Sequence, residues 1–253
     1  LNTPKGYIFE IFVSVQGEGI YLGERQLFVR TAGCSATCAW CDTVAAKKRR
    51  DYFVVHGRAR RTIENPVTVA RVIKESRALL RRGDRVRAVT ITGGEPLEQP
   101  EFVAALARGL RETDLRVHLE TSGIESGAIA RVVGSVDVVA MDIKLPSATG
   151  KDHWDAHRDF LRVAARREAF VKVVVDRATS LAELDRAISL VAEIDTGIPL
   201  VLQPESADFL KEAHGSAARK RVASLLAAAQ RSALGRLGDV RVIPQCHKLL
   251  KVR

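Results

Sequence analysis

The chain has 253 residues, 40 lysines and arginines against 30 aspartates and glutamates, a formal net charge of +10, 46% hydrophobic residues and 5% aromatic ones. That length suits one large α/β domain or two small ones and suffices for a full core. With 28% charged residues and a mean hydropathy of −0.02, a disordered tail and a membrane-embedded chain are both excluded.

The basic excess favours anionic partners, yet most of it is arginine scattered along helices, which reads as a solvated surface. Leu1-Asn2-Thr3-Pro4-Lys5-Gly6 carries no charged-then-apolar leader, so export is not expected. The absent initiator methionine points to a trimmed chain.

In chain order, short β-branched runs alternate with stretches of helical period. Strands are expected over 26–31, 86–92, 115–119, 136–141, 170–175, 199–202 and 240–243. The first helix is expected where Val69, Val72, Ile73 and Leu80 recur at helical spacing, with Asn65-Pro66 ahead of it and Gly83 as its stop. Further helices are expected over 100–111, 127–133, 181–193 and 217–232. Residues 43–65 and 145–159 read as irregular, and no composition break divides the chain, so 1–253 is expected to be one domain. Strand–helix alternation implies a mostly parallel sheet. Seven strands fall short of a closed eight-stranded barrel. The expected fold is therefore α/β, a partial, open (β/α) TIM-like barrel of about six parallel strands with an extra N-terminal strand.

In such folds chemistry gathers at the carboxyl ends of the strands. The strands here run into Gly33-Cys34, Gly93-Gly94-Glu95-Pro96, Glu120-Thr121-Ser122-Gly123, Asp142-Ile143-Lys144 and Gln203-Pro204-Glu205. One rim carries the unusual polar residues, as an enzyme requires and a scaffold does not.

Three of the four cysteines, Cys34, Cys38 and Cys41, form a C-x₃-C-x₂-C run, and Cys246 lies far away. This is no disulfide framework; clustered thiolates suit zinc or an iron–sulfur cluster in a reducing, cytoplasmic setting. A structural zinc would need a distant fourth ligand such as Cys246, His56 or His247. A [4Fe–4S] cluster held by three cysteines leaves one iron open to a ligand that is not protein. Cys246 itself reads as a small buried hydrophobe. In Gly93-Gly94-Glu95-Pro96, the glycines permit close backbone approach and Glu95 can accept from an ammonium group.

The cysteine spacing and this Gly-Gly-Glu-Pro segment resemble the radical S-adenosylmethionine (SAM) superfamily. Segment 9–19, ending in Gln16-Gly17-Glu18-Gly19, and segment 241–250, containing Pro244-Gln245-Cys246-His247, resemble the 7-carboxy-7-deazaguanine synthase family within it. Residues 28–34 and Trp40-Cys41-Asp42-Thr43 agree.

The resemblance implies a lyase that converts 6-carboxy-5,6,7,8-tetrahydropterin into 7-carboxy-7-deazaguanine with release of ammonia, on the path to queuosine and other 7-deazapurines. It implies a [4Fe–4S] cluster, SAM and Mg²⁺ as cofactors. SAM chelates the fourth iron through its amino and carboxylate groups, and the 5′-deoxyadenosyl radical formed on its reductive cleavage abstracts hydrogen at C6 before the ring contracts.

By the same resemblance Cys34, Cys38 and Cys41 hold the cluster and Thr43 contacts magnesium. Val15, Gln16, Gly17, Glu18, Arg30, Thr92 and His247 bind the pterin. Trp40, Cys41, Asp42, Gly94, Glu95, Ser122, Asp142, Ile143, Lys144, Gln203, Pro204 and Glu205 bind SAM. Asp142-Ile143 departs from the Ser-Pro of the family pattern, and Ser122 replaces a frequent glutamine. The chemistry of these side chains suits such roles: Gln16 and Glu18 offer directional hydrogen bonds to a pterin edge, and Arg30 a partner for a carboxylate.

The implied partners are the pterin and an electron donor such as a flavodoxin, which the basic stretch 45–65 would help to dock, and a second copy of the chain in a homodimer. Nucleic acid and membrane are not expected. Two competitors share features with this reading: a glycyl-radical activating enzyme, which has the same triad, and a zinc-stabilised nucleic-acid-binding module. The second lacks interleaved aromatic and basic residues.

Overall fold

The computed structural model describes residues 4–80, 85–210 and 215–252. Gly83, the expected stop of the first helix, lies outside them, as do Arg81 and Arg82. The chain opens with β1 (Lys5–Gly6), β2 (Ile8–Val15), β3 (Arg25–Thr31), β4 (Tyr52–His56), β5 (Arg60–Glu64) and β6 (Val67–Thr68). Strands and helices then alternate: α1 (Val69–Leu79), β7 (Ala88–Gly93), α2 (Pro100–Arg111), β8 (Arg116–Thr121), α3 (Ser126–Val132), β9 (Val138–Ile143), α4 (Pro146–Thr149) and α5 (Trp154–Ala164). The remainder is β10 (Glu168–Val175), α6 (Leu181–Ile194), β11 (Leu200–Pro204), α7 (Ser206–Leu210), α8 (Gly215–Leu234), β12 (Val240–Val242) and α9 (Cys246–Leu250).

Ten strands form one sheet in the order β12-β11-β10-β9-β8-β7-β3-β2-β4-β5, and β1 pairs β6 separately. Every contact from β12 to β3 is parallel, so all seven strands expected from sequence run parallel in the barrel sheet, in keeping with the about six expected. The sheet is not closed; β12 and β5 are its two ends. Residues 8–15, where no strand was expected, form β2, which is antiparallel to β3 and extends the sheet on the N-terminal side.

Residues 43–65 are not irregular. They contain the hairpin β4–β5, which extends the sheet beyond β2 because Phe53 and Val55 bury one face of β4. Residues 145–159 likewise hold α4 and the start of α5, where Trp154, His157, Phe160 and Leu161 recur at helical spacing and are buried.

Helices pack on the outer face of the sheet through stripes of this kind. In α2, Phe102, Val103, Leu106, Ala107 and Leu110 are buried, and Pro100 opens the helix where its missing N–H has no cost. A capping box starts α6: Ser180 Oγ accepts from the Glu183 N–H at 3.2 Å, and Glu183 accepts from the Ser180 N–H at 2.9 Å.

A second, smaller apolar group lies inside the curve of the sheet. Val138, Phe170 and Val201, near the amino ends of β9, β10 and β11, pack with Ile20 and Tyr21 of the loop after β2. That loop plugs the lower end of the barrel, and the Tyr21 hydroxyl binds Glu168 and accepts from Arg116 Nη1 at 3.1 Å. The open end is therefore the carboxyl end of the strands.

Candidate active site

Strand pleating places alternate side chains inside the curve, and these build the site in layers. The lowest layer is apolar, with Phe12, Phe28, Ala140 and Phe170. Phe12 and Phe28 stack with centroids 5.0 Å apart. Above them stands a polar layer: Arg30 on β3, Thr92 on β7, Glu120 on β8, Asp142 on β9 and Lys172 on β10. Strand register sets Arg30 opposite Thr92 and Asp142 opposite Lys172. The Arg30 guanidinium also pairs with Glu10 at 3.0 Å and lies over Phe12.

Loop 33–43 arches over this layer and carries Cys34, Cys38 and Cys41, three free, half-buried thiols that all face the cavity. Backbone bonds fix the arch: Gly33 N–H donates to Ala46 O at 2.8 Å and Cys34 N–H to Lys47 O at 3.2 Å, and Lys47 Nζ returns to Ala36 O at 2.8 Å. The two glycines at the end of β7, Gly93 and Gly94, are needed by this arch. A Cβ on Gly94 would lie 2.3 Å from Gly33 O, and Gly93, at φ +154°, would carry one 2.3 Å from Thr31 Oγ1.

Burial holds the Cys34 and Cys38 thiols above their ordinary pKa, with the Lys144 ammonium opposing the shift at Cys38. Such thiols give up their protons on binding a soft metal. Two buried polar atoms of the cavity wall, Trp40 Nε1 and Gln203 Oε1, have no hydrogen-bond partner. Unpaired buried donors and acceptors beside a thiol triad fit a polar cofactor seated against a metal cluster.

Lys144 supports the same side. Its Nζ pairs with Asp142 at 2.5 Å and sits 4.7 Å from the Trp40 ring centre, and its backbone N–H donates to His157 Nε2 at 3.0 Å. His157 Nδ1 donates to Gly123 O at 2.9 Å, so one buried imidazole joins the loops after β8 and β9. Burial depresses its pKa to about 4, which keeps this tautomer neutral.

On the opposite side, Gln16 Nε2 donates to Glu120 Oε1 at 2.9 Å, and Gln16 Oε1 accepts from the Glu18 N–H at 3.1 Å. Glu18, Asp42 and His247 bring one ligand atom each to within 4.8 Å of one another. Lys172 pairs with Glu18, and Lys248 stands 3.7 Å from Asp42. Burial opposes ionisation of Glu18, but the Lys172 ammonium prevails and holds its carboxyl below the usual range. The C-terminal segment closes over this corner: Cys246 N–H donates to Gly17 O at 2.9 Å, and Gln245 Nε2 to Glu18 at 2.7 Å. Gly17 must be glycine, since a Cβ there would meet His247 Nδ1 at 2.4 Å. Thr43 faces the cavity and donates to Asp42 at 3.0 Å.

The radical SAM superfamily pattern matches residues 28–192. A 7-carboxy-7-deazaguanine synthase of Geobacter sulfurreducens is 38% identical over 255 residues, covering 99% of each chain, and one of Methanopyrus kandleri is 33% identical, covering 98% of this chain and 94% of that one. The chain belongs to the 7-carboxy-7-deazaguanine synthase family of radical SAM enzymes. The crystal structure of QueE from Escherichia coli shares the fold, with a TM-score of 0.57 over 95% of this chain and 94% of that one at 21% identity. A structure of TYW1 with a lysine–pyruvate adduct bound reaches 0.59 over 85% and 75% at 11%. Membership of the synthase family sets aside the activating-enzyme and zinc-module readings.

Of the synthase-family positions singled out in the sequence, four do not face the cavity. Glu95 is buried beneath it, its carboxylate already accepting from Leu97 N–H at 3.0 Å, Thr121 Oγ1 at 2.7 Å and Ser122 N–H at 2.7 Å, with its pKa raised by burial. Ile143 alternates outward from Asp142 into the core, Pro204 ends β11 in buried packing, and Glu205 accepts from the Asp208 N–H at 2.8 Å. Cys246 is half-buried rather than buried, since α9 has no buried residue.

Val15, Gln16, Gly17, Glu18, Arg30, Thr92 and His247 line one side of the cavity. Trp40, Asp42, Gly94, Ser122, Asp142, Lys144 and Gln203 line the rest with the thiols. Lys172, Glu120 and Gln245 also line it and were missed. For Lys172 the signal was available: a lysine between Phe170 and Val174 on the inward face of a strand is costly there unless it is paired.

Proposed function

We propose that this chain is a 7-carboxy-7-deazaguanine synthase, converting 6-carboxy-5,6,7,8-tetrahydropterin into 7-carboxy-7-deazaguanine with release of ammonia. The observation that carries the reading is one cavity bounded by the thiol triad at its roof and by Gln16, Glu18, Arg30, Thr92 and His247 at its side. A redox cofactor and a polar heterocycle placed there are neighbours.

Cys34, Cys38 and Cys41 would hold the [4Fe–4S] cluster, which with bound SAM supplies a 5′-deoxyadenosyl radical. Trp40, Ser122, Asp142, Lys144 and Gln203 would orient the cofactor, with the unpaired Trp40 Nε1 free to donate to it and Gln203 Oε1 to accept from it. Gln16 and Glu18 read the amide-like edge of the pterin, and Arg30 pairs with its carboxylate. Thr43 would contribute a hard oxygen to a magnesium ion, whose chemistry there would be to neutralise and hold the substrate carboxylate. The apolar floor of Phe12, Phe28 and Phe170 excludes water below the ring and offers faces for stacking. Residues 1–253 act as a single radical SAM domain.

On the same reading a flavodoxin is the electron donor, the enzyme is a homodimer, and it works in the cytoplasm. Among the described residues no helix is long and apolar enough to cross a membrane.

The test is anaerobic reconstitution with iron and sulfide, followed by turnover with the pterin, SAM, Mg²⁺ and a reductant. Brown protein absorbing near about 400 nm, with ammonia and deazaguanine product, is the expected result. A reconstituted cluster without either product would refute the assignment.

A further inference from the structure

Lys172 lies mid-way along β10, on the inward face it shares with Phe170, Val174 and, at the plugged end beneath Tyr21, Glu168. An ammonium on such a face survives only when paired. It binds Glu18 and stands 3.2 Å from Asp142 Oδ1. These acids belong to different halves of the cavity, Glu18 beside Gln16 and His247, Asp142 beside Lys144 and the cysteine arch.

The two acids depend on Lys172 unequally. Asp142 has a second cation, Lys144 Nζ at 2.5 Å. Among the described residues, Lys172 is the only lysine or arginine paired with Glu18, whose remaining partners are Gln245 Nε2 at 2.7 Å and the His247 ring at 4.0 Å. Glu120 adds a third acid to the same enclosure, bonded to Gln16. Without the ammonium, three carboxylates would confront one another in a low dielectric, and Glu18 would turn away or lose its charge.

We propose that Lys172 is a positioning residue for the substrate: through its ion pair it fixes the Glu18 carboxylate in the orientation that reads the N–H donors of the pterin, while the cofactor half rests on Lys144. This rests on the proposed function, which places the pterin against Glu18. One carboxylate oxygen takes Lys172 and the other Gln245, and each keeps acceptor capacity for the ligand.

The test is equilibrium binding of 6-carboxy-5,6,7,8-tetrahydropterin and of SAM, each alone, to unreduced holoenzyme. The proteins are wild type, Lys172→Met, Glu18→Gln and the double variant, with iron per chain as the control for folding. Lys172→Met is expected to weaken pterin binding about tenfold or more and SAM binding less than about threefold. In the Glu18→Gln background the same change should cost less than about threefold, because the route through Glu18 is already gone. In turnover, KM for the pterin should rise more than kcat falls, and Lys172→Arg should recover most of the pterin affinity. Should Lys172→Met fail to take up iron, Lys172→Gln enters the same cycle.

Unchanged pterin affinity, equal losses for both ligands, or additive effects in the double variant would overturn the role of Lys172. Wild-type enzyme that converts the pterin while the cycle is additive leaves the proposed function standing and removes only this role. Wild-type enzyme that binds no pterin removes both.

Discussion

A single methyl group at position 94 would collide with the backbone that carries the first cluster ligand, 2.3 Å from Gly33 O and 2.9 Å from Cys34 Cβ. Gly94→Ala is therefore expected to displace loop 33–43, lower bound iron several-fold and destabilise the fold by about 1–3 kcal/mol, checked by iron content and melting temperature. Arg30→Ala removes the guanidinium from beside Glu10 and the cavity without touching the arch. It should weaken pterin binding about tenfold or more, as loss of a charge-assisted contact does, with iron content retained; a colourless variant would contradict this division. At this scale the sequence was eloquent where chemistry is unusual. The thiols and Gly94 were legible from residue type and spacing, whereas Gln16 and Lys144 came only with the resemblance to the synthase family. That the Glu95 carboxylate is already bonded to Thr121 and Ser122 was not legible, because these partners come from the next strand end. Lys172 and Glu120 escaped because their meaning lies in which strands stand side by side.

Among the elements, α5 has a part beyond packing, since its His157 ties the loops after β8 and β9 together. The folded pKa of about 4 lies below the ordinary 6.5, so the unfolded chain binds the extra proton first. The stability this neutral histidine contributes is complete above about pH 6.5 and is lost as pH falls towards 4, about 3 kcal/mol if the range is crossed. His157→Gln should be less stable at pH 7 but lose less between pH 6.5 and 4.5, read by denaturant unfolding at each pH. His118, also buried with a pKa of about 4, remains in both proteins and cancels in the comparison. The seven parallel strands and the helix over Pro100–Arg111 were legible because their apolar period is clean. The hairpin β4–β5 was not. Its buried residues are only Phe53 and Val55, and the surrounding Arg58, Arg60 and Arg61 read as loop.

For the whole molecule, the excess charge is partly internal in purpose. Arg61 pairs with the buried Glu75 of α1, and Arg49 and Arg50 lie over the rings of Tyr7 and Phe9. Lys48, Arg58 and Arg60 remain exposed along the segment that follows the cysteine arch. If a flavodoxin docks there, its reduction of the cluster should slow several-fold between low salt and about 0.5 M salt, where screening shortens to a few ångströms; salt-independent rates would remove that partner from the surface. Deleting residues 245–252 should spare iron uptake but abolish measurable pterin binding, because Gln245 and His247 are lost while the arch keeps its own supports.

The hydrogen bond from Gln245 to Glu18 spans 227 positions of sequence. During synthesis the thiols leave the ribosome early, whereas the corner proposed to read the heterocycle is completed only after Gln245 has followed them. The two halves of the cavity thus depend on widely separated parts of the chain, and the substrate corner is the one that waits for the later of them.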